Sequence, residues 1–270
     1  MTALDIAADP QSAPRLPVRA RDVLGSEWTK VRSVRSTYWI LLIAAVTAIG
    51  GSTIIAAAAT GRAGHSPFEP LEPLEPVFIA WVEYPVLAVG ILGVLAFTAE
   101  YSTGQIRTTF AAVPQRRAVL AAKAGAVGLL TLCFSELLAF ISFFLSQAIV
   151  SNHGGLSLAH PGVAGAVLAA GFTLFAIAMV GVGLGAIIRH TAGAIAALPA
   201  VIYLPLVLLS LPAPWADRIG KFTVLIAASQ VVSLHPKASL LSSDLSMLVL
   251  VAWPAVTLLI AALLITRRDA

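Results

Sequence analysis

Few side chains in this chain of 270 residues are placed to do chemistry. Five histidines, His65, His153, His160, His190 and His235, are scattered along it, and Cys133 is its one cysteine. A lone thiol builds neither a disulfide framework nor a cysteine metal site. No His-Glu-x-x-His run or pair of close carboxylates occurs, which argues against a metalloprotease. No G-x-x-x-x-G-K-[ST] run occurs either, so the chain has no P-loop of its own with which to bind ATP. Gly181-Val182-Gly183-Leu184-Gly185 comes close to a dinucleotide fingerprint, but it sits in a charge-free apolar stretch and follows no strand signal. Gly181 and Gly185 instead form a small-xxx-small pair that lets helices approach closely, within the subunit or between subunits. That leaves two acids, Glu83 and Glu136, inside apolar stretches. An acid in hydrocarbon is costly and as a rule faces a bundle interior or a wet cavity. Glu136 lies about 13 residues, roughly 20 Å of helix, beyond Lys123, which puts it near mid-bilayer. A hydrogen bond to a neighbouring helix, a place in a substrate cavity and a proton relay are all open to it.

The elements that must position these residues are six apolar stretches, at 38–60, 77–99, 124–150, 162–188, 191–211 and 245–266. A bilayer core about 30 Å thick needs about 20 helical residues. Only 11% of residues are charged and 59% are hydrophobic, against about 25% charge in a soluble domain. Mean hydropathy is +0.92. The stretches are apolar all round, without the period of a half-buried strand or a surface helix. The expected fold is therefore all-α: a polytopic membrane protein with six transmembrane helices at 18–270, preceded by a disordered cytoplasmic N-terminus at 1–17. The second stretch, interrupted by Glu83, is the weakest of the six. Residues 1–20 are polar and lack the apolar core of a signal peptide.

Basic residues then predict an orientation. Arg15, Arg19, Arg21, Lys30, Arg32 and Arg35 precede the first stretch. Arg107, Arg116, Arg117 and, at its edge, Lys123 mark the loop after the second. Arg189 lies between the fourth and fifth, and Arg267 and Arg268 follow the last. Arg62, Arg218, Lys221 and Lys237 fall on the other side among Glu69, Glu72, Glu75, Asp217 and Asp244. Both termini are thus expected in the cytoplasm. The basic face accounts for a pI near 9.6 without nucleic acid, with anionic lipid as its default partner.

The connections are more individual. Residues 18–36 read as an amphipathic interfacial helix, with Leu24, Trp28, Val31 and Tyr38 on one face. It serves as a simple lead into the membrane or as a lever that also touches a cytoplasmic partner. The prolines at 70, 73 and 76 favour an extended acidic spacer over a ligand site. In the loop 100–117, Ser102 or Thr103 can cap a short helix that Pro114 ends. Ile106, Phe110 and Val113 would line one face of it, flanked by Arg107 and preceded by Gly104. Lipid or a protein groove must bury that face. Residues 222–234 are apolar but too short to span, which predicts an external re-entrant or interfacial helix.

The chain resembles a permease subunit of a type-2 ABC exporter, of the kind common in actinobacteria. The resemblance rests on Ser26-Glu27-Trp28-Thr29-Lys30-Val31-Arg32-Ser33. It rests equally on Glu100-Tyr101-Ser102-Thr103-Gly104-Gln105-Ile106-Arg107, running on through Pro114-Gln115-Arg116-Arg117. It implies that 20–36 is the interfacial connecting helix and 102–113 the coupling helix. The latter would dock on a separate ATP-binding subunit, which binds the ATP and Mg that this chain does not. It also implies two permease copies, as homodimer or heterodimer, in a bacterial plasma membrane, and no enzymatic activity in this subunit. Short outer loops set the chain apart from the family's lipopolysaccharide and sterol members, so their substrates are not carried over. An ion-coupled secondary transporter, using Glu83 and Glu136, and a non-transporting immunity or scaffold protein are the alternatives.

Overall fold

The computed structural model describes residues 19–62, 85–151, 155–203 and 218–267, and all regular structure among them is helical. In chain order the helices are α1 (Ala20–Ser33), α2 (Arg35–Arg62), α3 (Val86–Ser102), α4 (Gln105–Ala112) and α5 (Arg116–Val150). They continue as α6 (Val163–Ile188), α7 (Thr191–Ile202), α8 (Val224–Val232) and α9 (Ser243–Arg267). Four of them, α2, α5, α6 and α9, are long and apolar enough to cross a membrane. A fifth crossing results if α3 and α4, bent by 89°, are taken as one span. Several long apolar helices of this kind mark a multi-pass membrane protein. Leu42, Val46 and Ile54 on α2 and Leu248, Val251 and Leu259 on α9 point outward. In water such a surface would be an aggregation hazard, and in lipid it needs no cover. Residues 77–84 of the second apolar stretch, with Glu83, and 204–211 of the fifth lie outside the described residues.

α6 is the hub, packed against α3, α5, α7, α8 and α9. Its glycines explain why. A Cβ on Gly181 would meet the Gly90 carbonyl oxygen at 2.2 Å, and one on Gly93 would meet that of Ala178 at 2.0 Å. α3 and α6 therefore touch backbone to backbone, as small residues allow in a bilayer. The small-xxx-small pair of the sequence works inside the subunit. α2 buries Ala44, Ala48, Ser52 and Ala56, one every fourth residue, and packs mainly on α5. Ala56 and Val150 meet at the far ends of these two helices, so they run parallel.

One end of the bundle gathers α1, the end of α3, α4, the start of α5 and the end of α9. Arg116 donates to the Ile265 carbonyl there at 3.3 Å. The expected single helix at 18–36 is broken: Val34 is extended, and Arg35 already belongs to α2. The basic loop expected up to Lys123 is also shorter than predicted, because Arg116 to Lys123 form the first two turns of α5. At the other end, α8 is tied to α9 by the Trp253 indole, which donates to the Phe222 carbonyl at 3.0 Å.

Candidate functional site

Four charged residues from three helices converge at the crowded end. On α1, Val23, Glu27 and Lys30 follow one another at spacings of four and three, so they share a face. That face is turned inward, leaving Glu27 only 1% exposed. Glu100 occupies the last turn of α3 and Lys123 the end of the second turn of α5, both buried. Lys123 Nζ donates to Glu27 Oε2 and, at 2.9 Å, to Glu100 Oε1. Lys30 Nζ donates to Glu27 Oε1 at 2.7 Å and to Glu100 Oε1 at 2.8 Å. It also makes a long 3.5 Å contact with the Thr109 hydroxyl of α4.

Two acids and two bases cancel in charge, which is the condition for keeping four ionised groups away from water. Burial alone would lower the pKa of Lys30. Its hydrogen bonds and charge contacts with Glu100 and Glu27 outweigh that and hold it above its ordinary value of 10.5. Aromatic rings extend the cluster sideways. Lys123 lies 5.9 Å from the Phe97 ring centre, Phe97 stacks on Tyr101, and the Arg189 guanidinium lies 5.4 Å from the Tyr101 ring. The α6–α7 turn, where Arg189 is left-handed, is thereby held to the same end.

The predicted site residues divide. Gly104 adopts φ 73°, a conformation that suits glycine, and starts α4 just beyond the bend. Ser102 and Thr103 do not cap α4: both hydroxyls donate back to the Ala99 carbonyl. Val113 is extended before Pro114, as a residue preceding proline should be. The apolar face of α4 turns inward. Ile106 is 3% exposed, and Phe110 and Val113 are half-buried, with the Arg116 guanidinium 5.4 Å from the Phe110 ring. The protein itself thus provides much of the cover that the sequence reading sought in lipid or a partner. What α4 presents outward is Arg107, Thr108 and Ala111, with Arg117 nearby in sequence. On α1, Leu24 is largely exposed but reaches over Gly125 of α5, while Trp28 and Val31 are half-buried.

Glu136 lies about three-fifths of the way along α5, apart from the cluster by about 20 Å of helix. Its carboxylate occupies the space that a side chain at Gly171 of α6 would take, 2.5 Å from the ideal Cβ position. Its Oε2 is buried with no hydrogen-bond partner among the described residues. Glu83 falls outside the described residues.

Sequence reasoning missed the cluster. In the sequence Glu27, Lys30 and Glu100 stand within the two motifs and Lys123 reads as a charge at a loop's edge. The usable signal was the spacing of Val23, Glu27 and Lys30, which sets an acid and a base on a second, inward face of α1. Compared with known proteins, the chain matches no family model and no curated protein.

Proposed function

We propose that the chain is the membrane subunit of a type-2 ABC exporter, forming the translocation path while a separate subunit hydrolyses ATP. The observation that carries this reading is the charged cluster. It joins the amphipathic α1 to the base of α3 and α5, with α4 turned by 89° at that same end. A helix at the bundle's end, fastened to two membrane helices, is suited to pass a push from outside the membrane into it. The exposed Arg107, Thr108 and Ala111 of α4, with Arg117, would meet the ATP-binding subunit. In this reading α3 and α7 complete spans two and five, giving six, and α8 is the external re-entrant helix. Both termini lie in the cytoplasm of a bacterial cell, an orientation the distribution of basic residues supports, and two permease copies assemble. Glu136, with its unpartnered oxygen, faces the substrate route.

Purification of the tagged chain from its native membrane tests this. The expected result is a co-purifying P-loop protein whose ATPase activity rises when the chain is present. Transport that persists without ATP and collapses with the ion gradient would instead establish the ion-coupled alternative.

A further inference from the structure

A cavity of about 390 Å³ opens between α1, α2, α3 and α5 beside the charged cluster. That volume lies within the range of about 300–1,000 Å³ typical of small-molecule sites. Its walls are apolar: Val34, Ile40, Leu92, Leu95 and Val127 line it. Its polar end is formed by Lys30, Glu100 and Lys123. Leu92 and Glu100 are separated by about 12 Å along α3, so the apolar wall runs lengthwise toward the charges.

The two ends of the cavity ask for different chemistry. Glu100 Oε1 takes bonds from both lysines, whereas Glu100 Oε2 is buried and accepts none from the described residues. A buried carboxylate oxygen without a donor is costly, and a donor brought by a ligand removes that cost. Lys30 and Lys123 are already engaged with acids, so the cluster has no comparable opening for an anion.

We propose that this cavity binds a membrane amphiphile. Its aliphatic chain lies along the α2 and α3 wall, and its hydrogen-bond-donating head, an ammonium or a hydroxyl, reaches Glu100. The site requires only that these helices lie in a bilayer, so it stands or falls separately from the exporter reading.

The test uses the full chain in lipid nanodiscs and three diazirine-bearing probes of equal chain length: an alkylamine, an alkyl alcohol and a fatty acid. The amine or the alcohol should label peptides containing Ile40 and Leu92–Ala96 in preference to those of α9, and the fatty acid should not. Ala96→Phe, which fills the cavity, should cut this labelling about tenfold, equivalent to about 1.4 kcal/mol. Leu259→Phe, on the outward face, should leave it unchanged. Glu100→Gln then separates the heads: loss confined to the amine identifies an ammonium, and loss of neither removes Glu100 as the anchor and overturns the proposal. Should that variant fail to fold, Ala96→Phe still decides. Labelling spread evenly over the lipid-facing helices, equal labelling by the fatty acid, or indifference to Ala96→Phe would each sink the idea.

Discussion

Lys123 is 2% exposed, within a helix long and apolar enough to cross a membrane. Its charge is tolerable only while Glu27 and Glu100 hold it. Lys123→Met should leave two buried acids with one base. Breaking a buried ion pair on one side costs about 3–5 kcal/mol, so the variant should melt markedly earlier in detergent. Glu27→Gln combined with Lys123→Met restores the charge balance and should recover part of that loss. Equal melting of both variants would mean that the pairing contributes nothing beyond packing. Lys30, whose pKa is raised, lends its stability at every pH below the ordinary lysine value and loses it only as pH climbs through its higher folded value. Glycines give a second contrast. Gly93→Ala would drive a methyl into the Ala178 backbone oxygen and should destabilise by about 3 kcal/mol or more. In Gly171→Ala the nearest atoms to the new methyl belong to the end of the Glu136 side chain, which can swing aside. It should spare stability while displacing that carboxylate, and a transport assay would read the effect.

The elements show why the sequence was legible in some places and not in others. α2, α6 and α9 begin and end close to their apolar stretches, and α5 ends with its stretch though it starts earlier, because a run of about 20 apolar residues has one stable form in lipid. The short elements were harder. Ile106 and Phe110 do share a side of α4, with Val113 extended just beyond its end, but periodicity does not say whether a neighbour within the chain already covers that side. The cluster was hidden for a related reason. Ion pairs such as Glu27–Lys123 and Glu100–Lys30 join residues far apart in sequence, and spacing along one helix carries no trace of a partner on another. The consequence for α4 is that Ile106 and Phe110 are poor probes of docking, since altering them would disturb the fold. Arg107→Glu with Arg117→Glu changes only exposed positions and should leave melting unchanged. With surface charge pairs worth about 0.2–1 kcal/mol each, reversing two should weaken retention of an ATP-binding partner by about tenfold. Unchanged retention in pull-down would move the docking surface elsewhere.

At the scale of the whole molecule, the helices place α1 and the end of α9 together, opposite the segment 155–160 and α8. On the proposed reading the first end, rich in basic residues, faces the cytoplasm. In a Cys133→Ala background, a thiol at exposed Ser157 should react with an impermeant reagent on intact cells. A thiol at exposed Gln115 should react only after permeabilisation. The opposite pattern would invert the orientation and remove α4 from reach of any cytoplasmic partner.

The bare contact between α3 and α6 also limits how such a molecule can move. Side chains that interdigitate can slip from one rotamer to another, but two backbones in contact have nothing to rearrange. These helices would travel as a single beam through any working cycle, and rearrangement would fall to joints with side chains between them, such as α2 against α5. Paired spin labels should therefore report a fixed separation along the beam whatever ligand is bound, and a varying one across the α2–α5 joint.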